Sequence, residues 1–345
     1  MASSSTGTSF AIVDHGGGPE ISSLHPEIIQ THILTLLDGP TLASAACASS
    51  QLHKLSNEDK LWRDICSTEW PSTEHPLVSL AISSFPAGHR SFYSDSFPAI
   101  DHRSQTKNTN RSSLPSVLLS AVDIHYKDEL ILSKVHETVT ESETGWFLCS
   151  PFRVDLLDIK ESVQTQIRQV GDEKAWLENL EENLTLSWIV IDPNQNRAVN
   201  ISSRRPVSVQ RHWLTGEIQL RYATIMAGDH SSLTSEFVQC AVVVTCGGKA
   251  GKEMDVRDVS MLMEDMEGKH VNGRESLVVL KAAMESGKRK KDTRKGEGKE
   301  RFEEYLEMKK ERSERKKRRE KAMDIACILT GATIFLTFWS FLLFS

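Results

Sequence analysis

The residues most suggestive of chemistry run from Cys246 to Lys252, where glycines and lysines alternate. A phosphate-binding loop needs the spacing GxxxxGK followed by Ser or Thr, because its backbone N–H groups and its lysine must surround the phosphates together. Here Cys246 stands where the first glycine belongs, and Glu253 follows the lysine. The spacing therefore favours a β-turn over a nucleotide site.

The side chains that usually bind metals or act as nucleophiles are scattered along the chain. The twelve histidines contain no HExxH sequence, and the six cysteines contain no CxxC pair. No Ser-His-Asp set and no acid–base pair of carboxylates can be assigned. We therefore predict no metal, no cofactor and no catalytic residue, and an uncharacterised enzyme is the least favoured interpretation. Cys240 and Cys246 lie in an apolar, strand-like run, which predicts buried thiols in a reducing cytosol.

Short apolar helices in residues 24–67 are more informative than any reactive group. Pro26 and Glu27 suit a first helical turn. Asp38–Gly39 ends this helix and Pro40 opens the next, so we predict three helices in all. A unit this small buries little surface, so it packs either on its own chain or on a partner. The apolar residues at the spacing of one helix face are Ile29, Ile33, Leu36 and Leu37.

The same segment resembles the F-box, the motif through which substrate receptors join Skp–cullin ubiquitin ligases. The family pattern combines Leu-Pro-x-Glu, Ile-Leu-x-x-Leu, a leucine followed by Val-Cys and a basic residue, and Leu-Trp-Arg. Pro26 sits one place late, and Ala46, Ala48 and Ser50 replace the usual valine, basic residue and tryptophan. The resemblance implies a helical domain that binds a Skp-type adaptor and, through it, a cullin. The residues implied for adaptor binding are Leu24, Pro26, Glu27, Ile28, Ile29, Ile33, Leu34, Leu37, Leu42, Cys47, Leu61 and Trp62.

Charge is distributed unevenly along the chain. The net charge is −6, but residues 281–321 carry +8 and the other residues −14. Residues 286–321 place acids and bases at i,i+4 spacing, which predicts a solvent-exposed charged helix or stalk. A nuclear-import signal or nucleic-acid contact is the alternative for Lys288–Lys291. We expect no nucleic-acid partner, because a solvated stalk attracted to lipid headgroups explains the charge.

Residues 325–344 form a run of 20 residues without charge. As a helix this run is about 30 Å long, the thickness of a bilayer hydrocarbon core. It is apolar on all sides, which favours a membrane span over a buried core helix. We therefore predict that residues 322–344 are a single-pass C-terminal anchor in a lipid bilayer, with the organelle unassigned. The basic residues 315–321 predict that the N-terminal bulk lies in the cytosol.

The remaining regions differ from one another in amino-acid composition and in predicted structure. Residues 1–23 are Ser- and Gly-rich, lack a signal-peptide arrangement and predict a disordered leader. Residues 68–114 are rich in Pro and Ser and predict an extension and linker. Residues 115–285 predict an antiparallel β-sandwich with a helix near residues 172–181, so the fold class is α+β multidomain. The predicted strands are 130–135, 146–157, 184–191, 198–201, 207–213, 218–225, 237–246, 256–263 and 277–280.

This β-rich region loosely resembles the phloem-lectin-like domains behind some plant F-boxes. The phrase from Arg205 to Trp213, the charged helix and the apolar tail together resemble one plant F-box group. The resemblance implies a membrane-tethered receptor that recruits an unknown protein target for ubiquitination. Trp188 and Trp213 are candidates for a binding groove, with core packing as the alternative. The alternative function is a ligase-independent, membrane-anchored binding protein with a lectin-like or lipid-reading sandwich.

Overall fold

The computed structural model describes residues 24–97, 100–101, 114–141, 145–169, 171–228, 236–248, 253–286, 288–289 and 296–344. The chain divides into two compact units, Met1–Ile65 and Cys66–Ser345. The predicted disordered leader, residues 1–23, and most of the predicted linker, residues 102–113, lie outside the described residues.

The first unit begins with a helical segment whose winding changes twice. It consists of α1 (Pro26–Ile28), a π-helical turn (Ile29–Ile33) and a 3-10 turn (Leu34–Leu36). Pro26 lies in the first turn, where a missing N–H leaves no bond unmade. This confirms that a helical element starts where the sequence predicted one, although its winding is not that of a regular α-helix.

Side-chain caps define the helices that follow. The Asp38 carboxylate accepts a hydrogen bond from the N–H of Thr41 at 2.9 Å and starts α2 (Gly39–Ala46). The hydroxyl of Ser49 accepts from the N–H of Leu52 at 3.1 Å and starts α3 (Ser50–Ser56). The prediction of three helices is therefore wrong, because Ser49 supplies a cap for an additional one. The last helix of this region is α4 (Asp59–Glu69).

Two prolines of the extension, Pro71 and Pro76, open regular structure rather than end it. A 3-10 turn (Pro71–Glu74) and α5 (Pro76–Ser83) each begin with a proline, whose missing N–H is tolerated at that position. α6 (Gly88–Ser96) follows. The described part of residues 68–114 is thus mainly helical.

Two antiparallel sheets form the centre of the second unit, as the sequence predicted. The strands are β1 (Ile100–Asp101), β2 (Val117–Tyr126), β3 (Glu129–Val139), β4 (Arg153–Asp155), β5 (Val163–Arg168), β6 (Leu184–Asp192), β7 (Arg197–Asn200), β8 (Ser208–Arg211), β9 (Ile218–Ala227), β10 (Phe237–Gly247), β11 (Glu253–Asp265) and β12 (Lys288–Arg289). One sheet has the order β3-β2-β6-β7, and the other has the order β4-β11-β10-β9-β8 with β5 also paired to β11. A separate short ladder joins β1 to β12.

Several predicted elements of this region need correction. Residues 146–157 begin with a short helix, α7 (Trp146–Cys149), before β4. The predicted strand 277–280 lies inside α9 (Gly273–Ser286), because Asn272 caps that helix by accepting from the N–H of Glu275 at 2.9 Å. β2 and β5 have no counterpart among the predicted strands. The helix predicted near residues 172–181 is confirmed as α8 (Glu173–Asn183).

Side chains from both sheets belong to one hydrophobic core. Trp188 of β6 and Tyr222 of β9 are among its largest fully buried members, and Leu180 of α8 and Leu277 of α9 join them. The proposed groove role of Trp188 is therefore wrong, since the fully buried indole packs in the core. The face-to-face sandwich arrangement stays a prediction.

The last helix, α10 (Glu297–Phe344), is continuous over 48 residues. Phe302 packs against Val207 and Ala223, and the buried Tyr305 donates its hydroxyl to the backbone carbonyl of Asp265 at 3.2 Å. The first turns are therefore not the fully solvated stalk that we predicted, because two aromatic side chains at i,i+3 anchor them. The side chains from Ser313 to Leu343 are exposed.

A buried carboxylate links the helical extension to the four-stranded sheet. Asp123 of β2 accepts hydrogen bonds from the backbone N–H of Ser72 at 2.9 Å and from its hydroxyl at 2.5 Å. Burial raises the pKa of the Asp123 carboxyl, and the hydrogen bonds from Ser72 oppose that shift. Both donors depend on this acceptor, since a buried donor left unpaired is costly.

We expect Asp123→Ala to lower the free energy of unfolding by about 1–3 kcal/mol, because both Ser72 donors then lie buried without an acceptor. Urea denaturation of the purified full chain in detergent measures the change. Asp158→Ala is the matched control, since Asp158 is exposed. Equal stability of the two variants would show that the Asp123 link contributes nothing.

Candidate functional site

The first helical segment buries two side chains and exposes their neighbours. Ile29 and Leu34 are buried, whereas Ile28 is 46% and Leu36 82% exposed. The N–H of Leu34 donates to the carbonyl of Ile29, so residues five apart share a face, as in a π-helix. The prediction that Leu36 shares one face with Ile29 is therefore wrong, because it assumed regular α-helical winding.

Three further motif residues are buried and hold the helices of the first unit in place. Leu42, Leu61 and Trp62 are each at most a few per cent exposed. The indole Nε1–H of Trp62 donates to the backbone carbonyl of Ser56 at 2.7 Å, which satisfies the one polar atom of that side chain. These residues support the docking module and are not part of its surface.

The remaining residues of the predicted adaptor-binding set reach solvent. Pro26, Glu27, Ile28 and Cys47 are exposed, while Leu24, Ile33 and Leu37 are half-buried. Leu36 is missing from the predicted set, because only the winding of the segment places it at the surface. We call the exposed and half-buried apolar side chains of residues 24–37 the docking strip.

The positions that depart from the family pattern also divide by burial. Ala46 is buried, so a smaller side chain there lets the helices approach more closely. Ala48 and Ser50 are exposed. These two substitutions therefore alter the surface of the module and not its core.

An exposed apolar strip is suited to binding a protein. Water leaves apolar surface when a partner covers it, and this release is the main favourable contribution to most protein association. Scattered single apolar residues need no explanation, but large side chains grouped on one short segment mark an interaction site. Leu36 and Ile28 are such side chains.

The possible metal ligands, the thiols of Cys240 and Cys246, and the glycine- and lysine-rich stretch lie outside the docking strip. No group of three His, Cys, Asp or Glu side chains in the described ranges could hold a metal ion. Cys240 and Cys246 are buried, as predicted, and burial raises the pKa of both thiols to about 12, so they stay protonated. Of the glycine- and lysine-rich stretch, Gly247 and Gly248 at the end of β10 are described, and residues 249–252 lie outside the described residues.

Trp213, the second groove candidate, lies at the tip of the β8–β9 hairpin. Its side chain is 87% exposed, and that of Leu214 is also exposed. The turn is well defined, because the N–H of Gly216 donates to the carbonyl of His212 at 2.9 Å and the Arg211 guanidinium donates to the carbonyl of Gly216 at 2.7 Å. The structure thus places Trp213 at the surface, apart from the core that contains the other candidate tryptophan.

One helix within the described part of the chain, α10, is long and apolar enough to cross a membrane. Its most apolar stretch has a mean hydropathy of 2.0 and is not buried by other residues. Length and composition alone support this statement.

The chain matches one known domain family and is similar to several known proteins. An F-box-like domain matches residues 26–68. Three proteins of Arabidopsis thaliana are similar over most of the chain. F-box protein At2g27310 is 48% identical over 97% of this chain and 99% of its own length. F-box protein At3g44326 is 43% identical over 94% and 91%, and probable F-box protein At2g36090 is 43% identical over 90% and 90%. No solved structure matches significantly.

The extent of these similarities, together with the docking strip on the matched residues, leads to one conclusion: the chain belongs to the F-box protein family.

Proposed function

We propose that this protein is the substrate-recognition subunit of a Skp–cullin–F-box ubiquitin ligase, and that its last helix tethers it to a membrane. The exposed apolar surface at Ile28 and Leu36, on residues that match the F-box, supports the first part most directly. Such a subunit catalyses nothing itself. It brings a target protein close to the ligase, and proximity raises the rate of transfer.

The proposed adaptor-binding residues fall into an exposed or half-buried group and a buried group. The docking strip would contact the Skp-type adaptor directly, and each large apolar side chain buried there contributes about 1.5–3 kcal/mol. A few such anchors usually carry most of the energy of an interface. The buried residues Ile29, Leu34, Leu42, Leu61 and Trp62 would act indirectly, by keeping the strip in shape.

The second half of α10 is the basis for proposing a membrane tether. Residues 325–344 carry no charge, and basic residues lie immediately before them. By the positive-inside bias, this arrangement in a bilayer would put the preceding units in the cytosol, where the adaptor and cullin would act. Confinement to a surface raises the effective concentration of targets on the same membrane.

A second candidate function is a ligase-independent binding protein that reads a glycan or a lipid through its β-rich region. The exposed indole of Trp213 is the observation that favours it. Screening the full chain in detergent against glycan and lipid panels, with Trp213→Ala as the comparison, tests this candidate. A ligand that depends on Trp213 in a protein that recovers no adaptor would favour it over the ligase subunit.

We expect Leu36→Asp to reduce recovery of the Skp-type adaptor at least about 30-fold, because a charge replaces an apolar anchor worth 2 kcal/mol or more. The measurement is quantitative co-purification of adaptor and cullin with the tagged full chain. The melting temperature should not change, since the side chain is 82% exposed.

Leu80→Asp is the matched control for this variant. Leu80 is also a highly exposed helical leucine, on α5 and outside the F-box segment, so its substitution should leave adaptor recovery unchanged. Normal adaptor recovery with both Leu36→Asp and Ile28→Asp would contradict docking through this strip.

We expect replacement of Leu329 and Leu336 by arginine to release the protein from membranes. Each arginine near the centre of a span costs about 2.5–3.5 kcal/mol, so two of them remove most of the driving force for insertion. Alkaline carbonate extraction of cell membranes measures the shift from pellet to supernatant. Leu306→Arg, on the same helix before the apolar run, is the control and should stay in the pellet.

Two outcomes would contradict the tethered topology. One is an equal distribution of the double-arginine variant and the wild-type protein between pellet and supernatant. The other is glycosylation of Asn183 or Asn200 in cells, because both lie in glycosylation acceptor sequences that only a lumenal location exposes to the transferase.

A further inference from the structure

The outer face of the four-stranded sheet becomes polar towards one end. His125 of β2 lies opposite Thr185 of β6, and Asp123 lies opposite Ser187 on the same face. Three of these residues, His125, Thr185 and Ser187, line a cavity of about 330 Å³. The last turn of α4, the end of α6 and residues 200–204 complete its walls. All of these segments belong to the second unit.

Two hydroxyl groups that line this cavity lack a hydrogen-bond partner among the described residues. Ser96, at the end of α6, is fully buried, and the Oγ atom of Ser187 is also shielded from solvent. A buried hydroxyl without a partner is unfavourable and rare in native proteins. Such atoms also occur elsewhere in the described residues, but these two line one cavity, where a ligand would supply the missing bonds.

The groups around the floor of the cavity favour an uncharged ligand. Burial lowers the pKa of His125, which keeps its imidazole neutral at neutral pH. The charged residues that line the cavity are Glu69, Asp128 and Arg204, of which the last two are exposed and opposite in sign. A phosphate would meet two carboxylates, and an ammonium group would meet the guanidinium. A neutral group that both donates and accepts hydrogen bonds avoids both conflicts.

Arg204 is held in an unusual backbone conformation beside the cavity. Its φ angle is 61°, in the left-handed region that residues other than glycine rarely adopt. Its N–H donates to the hydroxyl of Ser202 at 3.2 Å, and its carbonyl accepts from the N–H of Leu186 at 2.8 Å. Such conformations persist where surrounding contacts impose them, and they concentrate at binding sites.

The aromatic side chains of the cavity are already packed against other rings. Trp70 is buried, with its ring centroid 5.3 Å from that of Tyr93 and 5.9 Å from that of Phe92. Phe97 stacks on Tyr93 at 5.3 Å. A sugar ring binds best on an open aromatic face, so this wall favours a peptide over a glycan.

We propose that this cavity receives an uncharged hydrogen-bonding side chain, Ser, Thr, Asn or Gln, from a peptide segment of the target protein. The hydroxyls of Ser96 and Ser187 bond to that side chain, and the main chain of the peptide crosses the rim at Asp128 and Arg204. The inference rests on the proposed function, because it assigns the site where a substrate receptor holds its target. Neither of the tryptophans considered from the sequence lines this cavity.

An array of short synthetic peptides that differ at one central position tests this proposal. The probe is the purified full chain in detergent. We expect peptides with central Ser, Thr, Asn or Gln to retain at least about fivefold more protein than those with Ala, Asp or Lys, the difference expected for one hydrogen bond. The double variant Ser96→Ala/Ser187→Ala should lose this preference.

The stability of the double variant separates binding from folding. Removing unpartnered buried hydroxyls should leave the melting temperature unchanged or raise it, so lost binding cannot be attributed to unfolding. Ser187→Ala alone, at a half-buried position, is a second variant with less effect on packing. Ser83→Ala, on an exposed serine of α5, is the matched control and should keep the preference.

Three results of the peptide array would overturn the proposal. They are equal retention by all central side chains, a preference for charged ones, and an unchanged preference in the double variant. Binding of a free sugar that the double variant loses would also overturn it, in favour of a glycan. Adaptor recovery is measured in the same preparations. If adaptor recovery is lost while the peptide preference remains, only the proposed ligase function is contradicted. If the peptide preference is lost while adaptor recovery remains, only the proposed cavity site is contradicted.

Discussion

The buried hydrogen bonds between Asp123 and Ser72 determine how the helical extension covers the four-stranded sheet. A carboxylate in the interior is unfavourable unless donors compensate it, and here one residue supplies two of them. The link fixes the 3-10 turn that precedes α5 and α6. Ser187, the neighbour of Asp123 across the strands, is too small to fill the space beside it. Ser187, but neither Asp123 nor Ser72, lines the cavity at this end of the sheet.

Motif spacing located the docking module but could not define its surface. Periodicity at i, i+4 and i+7 assumes α-helical winding, and the π-helical turn at Ile29–Ile33 shifts every later side chain around the axis. Leu36 consequently lies at the surface, although its spacing from Ile29 predicted a common face. The strand predicted at residues 277–280 failed for a similar local reason, since the cap at Asn272 favours a helix. The cavity could not be predicted at all, because residues far apart in sequence line it.

The first and last parts of α10 differ in their surroundings, although the helix is continuous. Its first turns pack on the second unit through Phe302 and Tyr305, and its final turns are apolar on every side. It contains no proline, and sharp bends in helices need an identifiable cause such as proline. If α10 spans a bilayer as proposed, Asp265 at the end of β11 would mark the end of the sheet nearer the membrane. Ile218, which follows the Trp213 hairpin, pairs with Cys246 at the opposite end of the sheet. The Trp213 hairpin therefore adjoins the end of the sheet opposite to Asp265.

The two proposed recognition surfaces differ in chemistry in the way that their proposed roles would require. The docking strip is apolar, so its binding energy scales with covered area and depends little on direction. Such a surface suits one constant partner that must be held firmly. The cavity offers hydrogen bonds that are worth little each, but a mismatched side chain leaves its buried hydroxyls unpaired, and that penalty discriminates between ligands. A receptor that must select a target and then release it gains more from such discrimination than from affinity, which is why the polar site belongs on the sheet and the apolar one on the F-box.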